Sequence, residues 1–369
     1  MKYLLTFKPL KNFFFGNDRT FSDDYLAISE YFPQNTQLLG AIRLFIAEQN
    51  KLMHIHKNGK YSNEPNELKK LIGTASSKDF DTNSNLGMIQ NISQMFIVNK
   101  NLDDAYFPTP FDIEVSDDGV KYYELSNIEN DYFLKNYDGK NASSQKLGNN
   151  LFWSKYINKE QLFKDDLENF DYDTTTKEGV FKHHHQVGIG LENKQTIEGA
   201  FYSKTDYQLN EQFLFGCLIE LDEKIINDGI IQIGAENSLF ELKIISYEET
   251  KLQVHPIVSK LFSPPQKGDK VVAISDVILE STNEFHSYFT IVPFYKNFAM
   301  LDLQDFDTGR KTEKGKPIIS YRNFKSKTIQ KRLIPSGTVS YIGEQVMPYN
   351  PTLGAYAKMG YNQFISTKN

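Results

Sequence analysis

The clearest pattern of apolar and polar positions lies in the first fifty residues. A mostly apolar run at residues 3–10 predicts a β-strand. A helix is predicted from about residue 36 to 49, with Asn35 or Thr36 as its N-cap. Its apolar positions repeat on one helical face: Leu38, Leu39, Ile42, Phe45 and Ile46.

The next long stretch has no such pattern. Residues 57–150 are rich in Asn, Ser, Asp and Lys, with short apolar pieces such as 95–98. Residues 164–179 are strongly acidic. These features predict a polar, irregular insertion at about 57–180 that decorates the first domain.

After residue 187 the pattern is typical of strands separated by turns. The predicted strands lie at 187–191, 200–209, 213–221, 229–234 and 239–245, then at 271–279, 287–294 and 332–342. Two prolines and a glycine at 263–269 predict a linker. We therefore predict an α+β protein with two tandem ferredoxin-like (RRM-like) domains, at 1–262 and 268–369.

The charge is unevenly distributed. The net charge of the 369 residues is −6, but residues 308–369 hold eleven Lys and Arg against Glu313 and Glu344, a net of +9 (11 − 2). The other 307 residues then carry 30 basic and 45 acidic residues, a net of −15. A basic contact face on an acidic body produces such a split, and so does a solvated lysine-rich surface.

The predicted helix carries Thr36, Gly40 and Arg43, with Ala47, away from its apolar stripe. A glycine inside a helix costs about 1 kcal/mol relative to alanine, so the missing side chain should have a use. Either another backbone approaches Gly40 while Arg43 binds a phosphate, or the helix packs closely on its own sheet and Arg43 pairs with an acid.

An aromatic hook precedes this helix. Residues 13–21 contain four phenylalanines, among them Phe15, together with Asn17 and Arg19. Aromatic rings beside a cation can stack unpaired bases, which favours RNA as the ligand. The alternative is that the phenylalanines are core residues, and Arg19 is then the better candidate for contact.

Two further segments are candidates for phosphate contact. The run Lys182 to Gln186 includes His183, His184 and His185. Three consecutive histidines on a strand cannot converge on one ion, and His54 and His56 lack a third ligand in register, so no metal site is predicted. We interpret this run as a polar loop that contacts phosphate or solvent through His184, His185 and Gln186. Glycines in the basic tail, with Lys358 and Gly360, are either phosphate-binding turns or ordinary turns.

No motif for catalysis or for a cofactor is present. The sequence lacks GxxxxGK[ST], GxSxG, HExxH and GxGxxG, so we expect neither an enzyme nor a cofactor. Cys217 is the single cysteine, which rules out an internal disulfide and predicts a buried core thiol. No run of eighteen apolar residues exists, and Pro9 and Lys11 interrupt a secretory segment, so we expect a cytoplasmic protein without membrane contact.

Taken in order, four segments resemble the RAMP superfamily, and more narrowly the family of subunit three in type III-B (Cmr) CRISPR effector complexes. Its hook PLxxLFFRDGRPF corresponds to residues 9–21 and its FPPxPxTLxGAxR to residues 32–43. VGIxxD and EGxLYS correspond to 187–189 and 198–203, and VPxGSVYYF to 334–341. Three departures are evident: Gly16 replaces the first hook arginine, the GGEGR turn is reduced to 234–237, and the closing GFG is 360–362.

The resemblance implies a non-catalytic subunit with two ferredoxin-like domains. It would hold the 5′ repeat-derived tag of the guide RNA and dock the large polymerase-like subunit and the backbone RAMP subunit, without direct DNA contact. Two alternatives stay open: a RAMP-type endoribonuclease that processes repeat RNA, and a scaffold that binds only protein.

Overall fold

The fold is taken from a computed structural model. It describes residues 1–16, 26–52, 66–73, 85–136 (without 109, 117–118 and 129–130), 152–153 and 180–263 (without 193–194). In the last hundred residues it describes 270–278, 287, 289–292, 296–298, 312–313, 316–317, 331–342 and 356–367. Residues 53–65, which include His54 and His56, lie outside these residues, as do the acidic segment at 164–179, most of the linker, and most lysines and arginines of the basic tail.

Strands dominate the first part of the chain. Its elements are β1 (Lys2–Pro9), β2 (Leu26–Ile28), α1 (Asn35–Gln49), α2 (Asn66–Ile72), β3 (Ile89–Ile92), β4 (Phe96–Asn99), β5 (Ala105–Pro108), β6 (Ile113–Ser116), β7 (Gly119–Tyr122), β8 (Glu124–Ile128), β9 (Asp131–Lys135) and β10 (Phe152–Trp153). The long central strands follow: β11 (Phe181–Glu192), β12 (Gln195–Leu209), β13 (Phe213–Leu221), β14 (Gly229–Gln232) and β15 (Leu239–Ser246).

The rest of the chain continues with short elements. Three 3-10 turns lie at Tyr247–Glu249, Lys251–Val254 and Val258–Lys260. They are followed by β16 (Lys270–Ala273), β17 (Val277–Ile278), β18 (Phe289–Ile291), β19 (Lys296–Phe298), β20 (Thr312–Glu313), β21 (Lys316–Pro317), β22 (Lys331–Ile334), β23 (Val339–Tyr341) and β24 (Phe364–Thr367).

The largest sheet has eight strands in the order β10-β5-β4-β13-β1-β15-β14, with β3 also paired to β13. Strand β1 lies between β13 and β15 and is antiparallel to both. The four central strands β4-β13-β1-β15, with α1 between β1 and β4 in sequence, have the order expected of a split βαβ unit. The first predicted domain therefore rests on an antiparallel sheet.

Helix α1 covers one face of this sheet because its apolar stripe faces inward, as the periodicity predicts. Leu38, Ile42 and Ile46 are fully buried and share a core cluster with Phe7 and Phe215. The predicted N-cap is wrong, however: Gln34 holds that position, without a side-chain bond to the described residues. Cys217 lies in the same core as predicted, and burial raises the pKa of its thiol to about 12.

The other face of the sheet packs against the C-terminal part of the chain. Leu4 and Leu218 share a second cluster with Val272, Val339 and Tyr341. Strands β18-β23-β16-β24 form one sheet here and β17-β22-β19 another. The fold is thus mixed α and β with sheets predominating, while the tandem ferredoxin-like arrangement and the domain limits stay predictions.

Part of the predicted insertion belongs to the core instead. Strands β3 and β4 pair directly with β13, and β5 pairs with β4. The prediction of an irregular segment is therefore wrong for residues 89–108. These strands are four residues long, and β3 is interrupted by Gln90 and Asn91, so they are too short to show a repeat.

In the described part of the chain, no helix has both the length and the apolar character that crossing a bilayer requires.

Candidate nucleic-acid interface

The candidate interface is a two-stranded ribbon, the β-ribbon, formed by the antiparallel strands β11 and β12. Strand β2 runs parallel to β12 on its other side. Residues 182–187 of β11 are all exposed, and the register pairs His184 with Asp206 and Gln186 with Lys204. The loop predicted at His184, His185 and Gln186 is therefore wrong: they lie on a strand.

Asp206 organises one face of the β-ribbon, and we call its group the Asp206 cluster: Asn12, His184, Lys204 and Asp206. Its carboxylate is 5% exposed and accepts a hydrogen bond from the Asn12 amide at 3.0 Å. His184 Nδ1 lies 3.1 Å from the same Oδ1 atom, and Lys204 Nζ lies 3.7 Å from Oδ2. A carboxylate behind Nδ1 fixes the orientation of an imidazole, so the half-exposed ring of His184 is held in place.

The other two histidines point to the opposite face, as strand geometry requires. His185 lies between two hydroxyl groups, with Nδ1 3.2 Å from Thr205 Oγ1 and Nε2 3.3 Å from Ser203 Oγ. His183 packs edge-on against Tyr207 at 4.9 Å between ring centroids. In the parts of the chain that the structure describes, no group of His, Cys, Asp and Glu is arranged for a metal ion.

Lys204 is the best-held cation of the β-ribbon. Its Nζ atom lies 5.2 Å from the centre of the Phe14 ring and 3.4 Å from Glu236 Oε2. The lysine side chain is 17% exposed, whereas that of Glu236 is 62% exposed. The ammonium group thus contacts a ring and a buried carboxylate on the protein side, and an exposed carboxylate at the surface.

The hook is a core element, which corrects one predicted contact. Phe13, Phe14 and Phe15 are at most 3% exposed, and the Phe15 ring stacks on Phe240. Because Phe15 is buried, its ring is not a platform for bases here, and the core alternative applies to all three rings. The prediction of Asn17 and Arg19 as RNA contacts falls outside the described residues.

Thr36 and Gly360 lie close together, because the C-terminal segment packs on the start of α1. The Thr36 backbone N–H donates to the Tyr361 hydroxyl at 3.3 Å, and burial raises the pKa of Tyr361. Gly360 has φ +91°, and a Cβ there would lie 2.9 Å from Gln94 N. Gly360 is therefore required for packing, while Lys358 is exposed on the same segment.

Gly40 and Arg43 have different surroundings. Gly40 is exposed, and apart from its chain neighbours and the backbone of its own helix, none of the described residues has an atom within 4 Å of a Cβ built on it. Close packing on its own sheet is therefore not the reason for this glycine. Arg43 donates to Ile72 O at 2.7 Å and Gly73 O at 3.2 Å, so it binds the C-terminal carbonyls of α2.

The structure brings some of the predicted residues together in two groups, and Phe15, Gly40, Arg43 and Lys358 belong to neither. His184, His185 and Gln186 are together on the β-ribbon, and Thr36 and Gly360 are together at the start of α1. Ala47, predicted on the outer helix face, is fully buried. The sequence interpretation missed Lys204 and Asp206, because residues 203–206 are all polar and no alternation marks the strand face that these two share.

A family comparison gives these features a context. Residues 5–367 match the model of the family described as "CRISPR-associated protein (Cas_Cmr3)". Since the match covers nearly the whole sequence, the chain belongs to this CRISPR-associated family, and the predicted resemblance is confirmed. No curated protein matches the sequence significantly.

Chains of two solved CRISPR effector assemblies are similar to this chain at low sequence identity. A chain of a type III-B Cmr-beta complex bound to cognate target RNA and AMPPnP is 14% identical, with 99% of this chain and 96% of that chain covered and a TM-score of 0.47. A chain of the Csm3-Csm4 subcomplex of a type III-A interference complex is 13% identical, with 95% and 100% covered and a TM-score of 0.42.

Proposed function

We propose that this chain is a non-catalytic RNA-binding subunit of a type III-B CRISPR ribonucleoprotein. In this proposal it holds the 5′ repeat-derived tag of the guide RNA and docks the large polymerase-like subunit, beside the backbone RAMP subunit. The complex works in the cytoplasm. Because the guide recognises its target by base pairing, the protein needs only to bind backbone and a few unpaired bases.

The observation that carries the proposal is the polar, exposed surface of the β-ribbon. Six consecutive side chains of β11 are open to solvent, and they include three imidazoles and an amide with defined partners. Such groups suit phosphates, ribose hydroxyls and the edges of unpaired bases. The acidic remainder of the chain is left for protein partners, where charge repulsion is screened beyond about 8 Å.

Retention of the guide by the assembled complex tests this proposal. The complex is reconstituted with Gln186→Ala or His185→Ala, and the fraction of guide that remains is measured over a salt series. Gln232→Ala is the matched control, since it removes an exposed glutamine from another strand. We expect both β-ribbon variants to lose guide and the control to keep it. Unchanged retention in both would leave the scaffold alternative.

One geometric observation favours a second function. The His184–Asp206 pair resembles the imidazole–carboxylate pair of a general base, and some RAMP relatives cut repeat RNA with a histidine. We propose that this chain does not cleave repeat RNA. Specific cleavage of repeat RNA by the purified protein, lost in His184→Ala or His185→Ala, would establish the endoribonuclease instead.

A further inference from the structure

The backbone that carries Glu236 is fixed on the aromatic hook. Two hydrogen bonds join the turn 234–238 to the hook: Ala235 N–H donates to Phe14 O at 3.0 Å, and Phe14 N–H donates to Ser238 Oγ at 2.9 Å. Within the turn, Ser238 Oγ donates to Ala235 O at 2.7 Å. Gly234 has φ +89°, and a Cβ there would lie 2.5 Å from Phe14 O. The position of the turn relative to Lys204 is therefore set.

The backbone of this turn also places Glu236 unusually. Glu236 and Asn237 both have left-handed conformations, with φ of 57° and 54°. Residues other than glycine and asparagine rarely adopt this backbone conformation, and they do so at some energetic cost. This strained turn brings a carboxylate to the most enclosed lysine of the β-ribbon. Its role therefore goes beyond reversing the direction of the chain.

The ion pair between Glu236 and Lys204 is one in which another anion can replace the glutamate. Glu236 Oε2 lies 3.4 Å from Lys204 Nζ, with most of the glutamate side chain in solvent. Exposed ion pairs of this kind are weak, so another anion of equal or higher charge density can replace the carboxylate. When the Glu236 side chain turns toward solvent, Lys204 stays in place, because its ammonium group also contacts Asp206 and the Phe14 ring on the protein side.

We propose that Lys204 is a phosphate-binding residue and that Glu236 occupies the place of that phosphate until RNA binds. Binding then needs only a rotation of the Glu236 side chain, since the turn backbone stays on the hook. The carboxylate lowers the affinity for RNA, so a short or nonspecific strand gains less from this contact than a guide held at several points. The inference rests on the proposed function, because it assumes that the guide RNA lies on the β-ribbon.

Removing the negative charge of Glu236 tests whether an RNA phosphate replaces this carboxylate at Lys204. With Glu236→Gln, we expect the assembled complex to bind the guide about two- to fivefold more tightly at low salt, the range that corresponds to loss of one exposed ion pair. With Lys204→Gln, we expect weaker binding and a decrease of about 0.7 in the slope of log K against log salt, the value for one phosphate contact with a single strand. Lys204→Arg should restore both values.

A matched control separates local exchange from general electrostatics. Glu241 forms a similar exposed pair with Lys243, 3.6 Å apart, on β15. Glu241→Gln changes the net charge equally, and we expect no gain in affinity from it. The gain from Glu236→Gln should also vanish when Lys204 is already glutamine. An equal gain from both glutamate variants, or a gain that persists without Lys204, would overturn the proposal.

The same experiment distinguishes failure of the inference from failure of the proposed function. If Gln186→Ala and His185→Ala weaken binding but Glu236→Gln has no effect, the exchange is wrong and the RNA interface stands. If none of the β-ribbon variants changes guide binding, both are wrong. Thermal unfolding of each variant checks that the turn and β-ribbon are still folded.

Discussion

Replacing Gly40 by alanine should make the isolated protein more stable. The glycine is in the sixth position of the 15-residue helix α1, where alanine is favoured by about 0.8–1 kcal/mol through backbone entropy alone. Apart from its chain neighbours and the backbone of its own helix, a new Cβ meets no atom of the described residues within 4 Å, so no clash offsets this gain. We therefore expect the free energy of unfolding to rise by about 1 kcal/mol.

The natural glycine then needs another reason, and the exposed surface beside it supplies one. If RNA or a partner backbone approaches Gly40 in the assembled complex, a methyl group will hinder that approach. Gly40→Ala should thus be more stable alone but retain less guide or partner subunit, and Gly40→Leu should retain still less.

Denaturant unfolding of the isolated protein and guide retention by the complex measure the two effects. Leu44→Ala, at an exposed site one turn along α1, is the control that changes helix surface without filling the space at Gly40. A lower free energy of unfolding in Gly40→Ala would refute the reasoning about the open surface. Greater stability with unchanged assembly would show that nothing approaches the glycine.

Three further outcomes follow from the structure. Gly360→Ala should destabilise the protein by more than about 1 kcal/mol in denaturant unfolding, because a left-handed backbone and Gln94 N leave no room for Cβ; an unchanged midpoint would contradict this. Arg43→Gln should destabilise it by about 1.5–3 kcal/mol through loss of charged bonds to α2, and a lower salt slope of guide binding would reveal a phosphate contact in addition. Cys217 should resist alkylation at pH 8 until the protein unfolds; since its folded pKa is about 12 and its ordinary value is 9.0, stability should fall as the pH rises above about 9. Rapid labelling of the folded protein would contradict the last prediction.

The apolar pattern predicted the elements that are most deeply buried. Helix α1 and strands β13 and β15 were within a residue or two of their observed limits, because α1 repeats its apolar positions on one face and the two strands are short, mainly apolar runs. The first half of β11 has no such spacing, since every side chain from 182 to 187 is polar or exposed. It is a strand because β12 supplies its hydrogen bonds, which only tertiary structure reveals.

The candidate site was predicted in outline only. The histidine run and the α1 face were identified, but sequence could not distinguish a base-stacking phenylalanine from a core one, and Phe15 lies in the core. Nor could it show that Arg43 binds backbone carbonyls, because the α2 terminus lies thirty residues away in sequence. The neighbours of Lys204 and Asp206 across the β-ribbon are set by the register between β11 and β12, and no local pattern in the sequence encodes that register.

Crosslinking of the guide in the assembled complex tests the central claim most directly. A photoreactive nucleotide is placed in turn at each position of the 5′ tag and of the distal guide, and the crosslinked peptides of this chain are identified. We expect crosslinks from the tag to β11 and β12, at residues 182–187 and 203–206, that disappear when the reactive nucleotide is distal. Tag crosslinks confined to other subunits, or found on this chain only away from the β-ribbon, would contradict it.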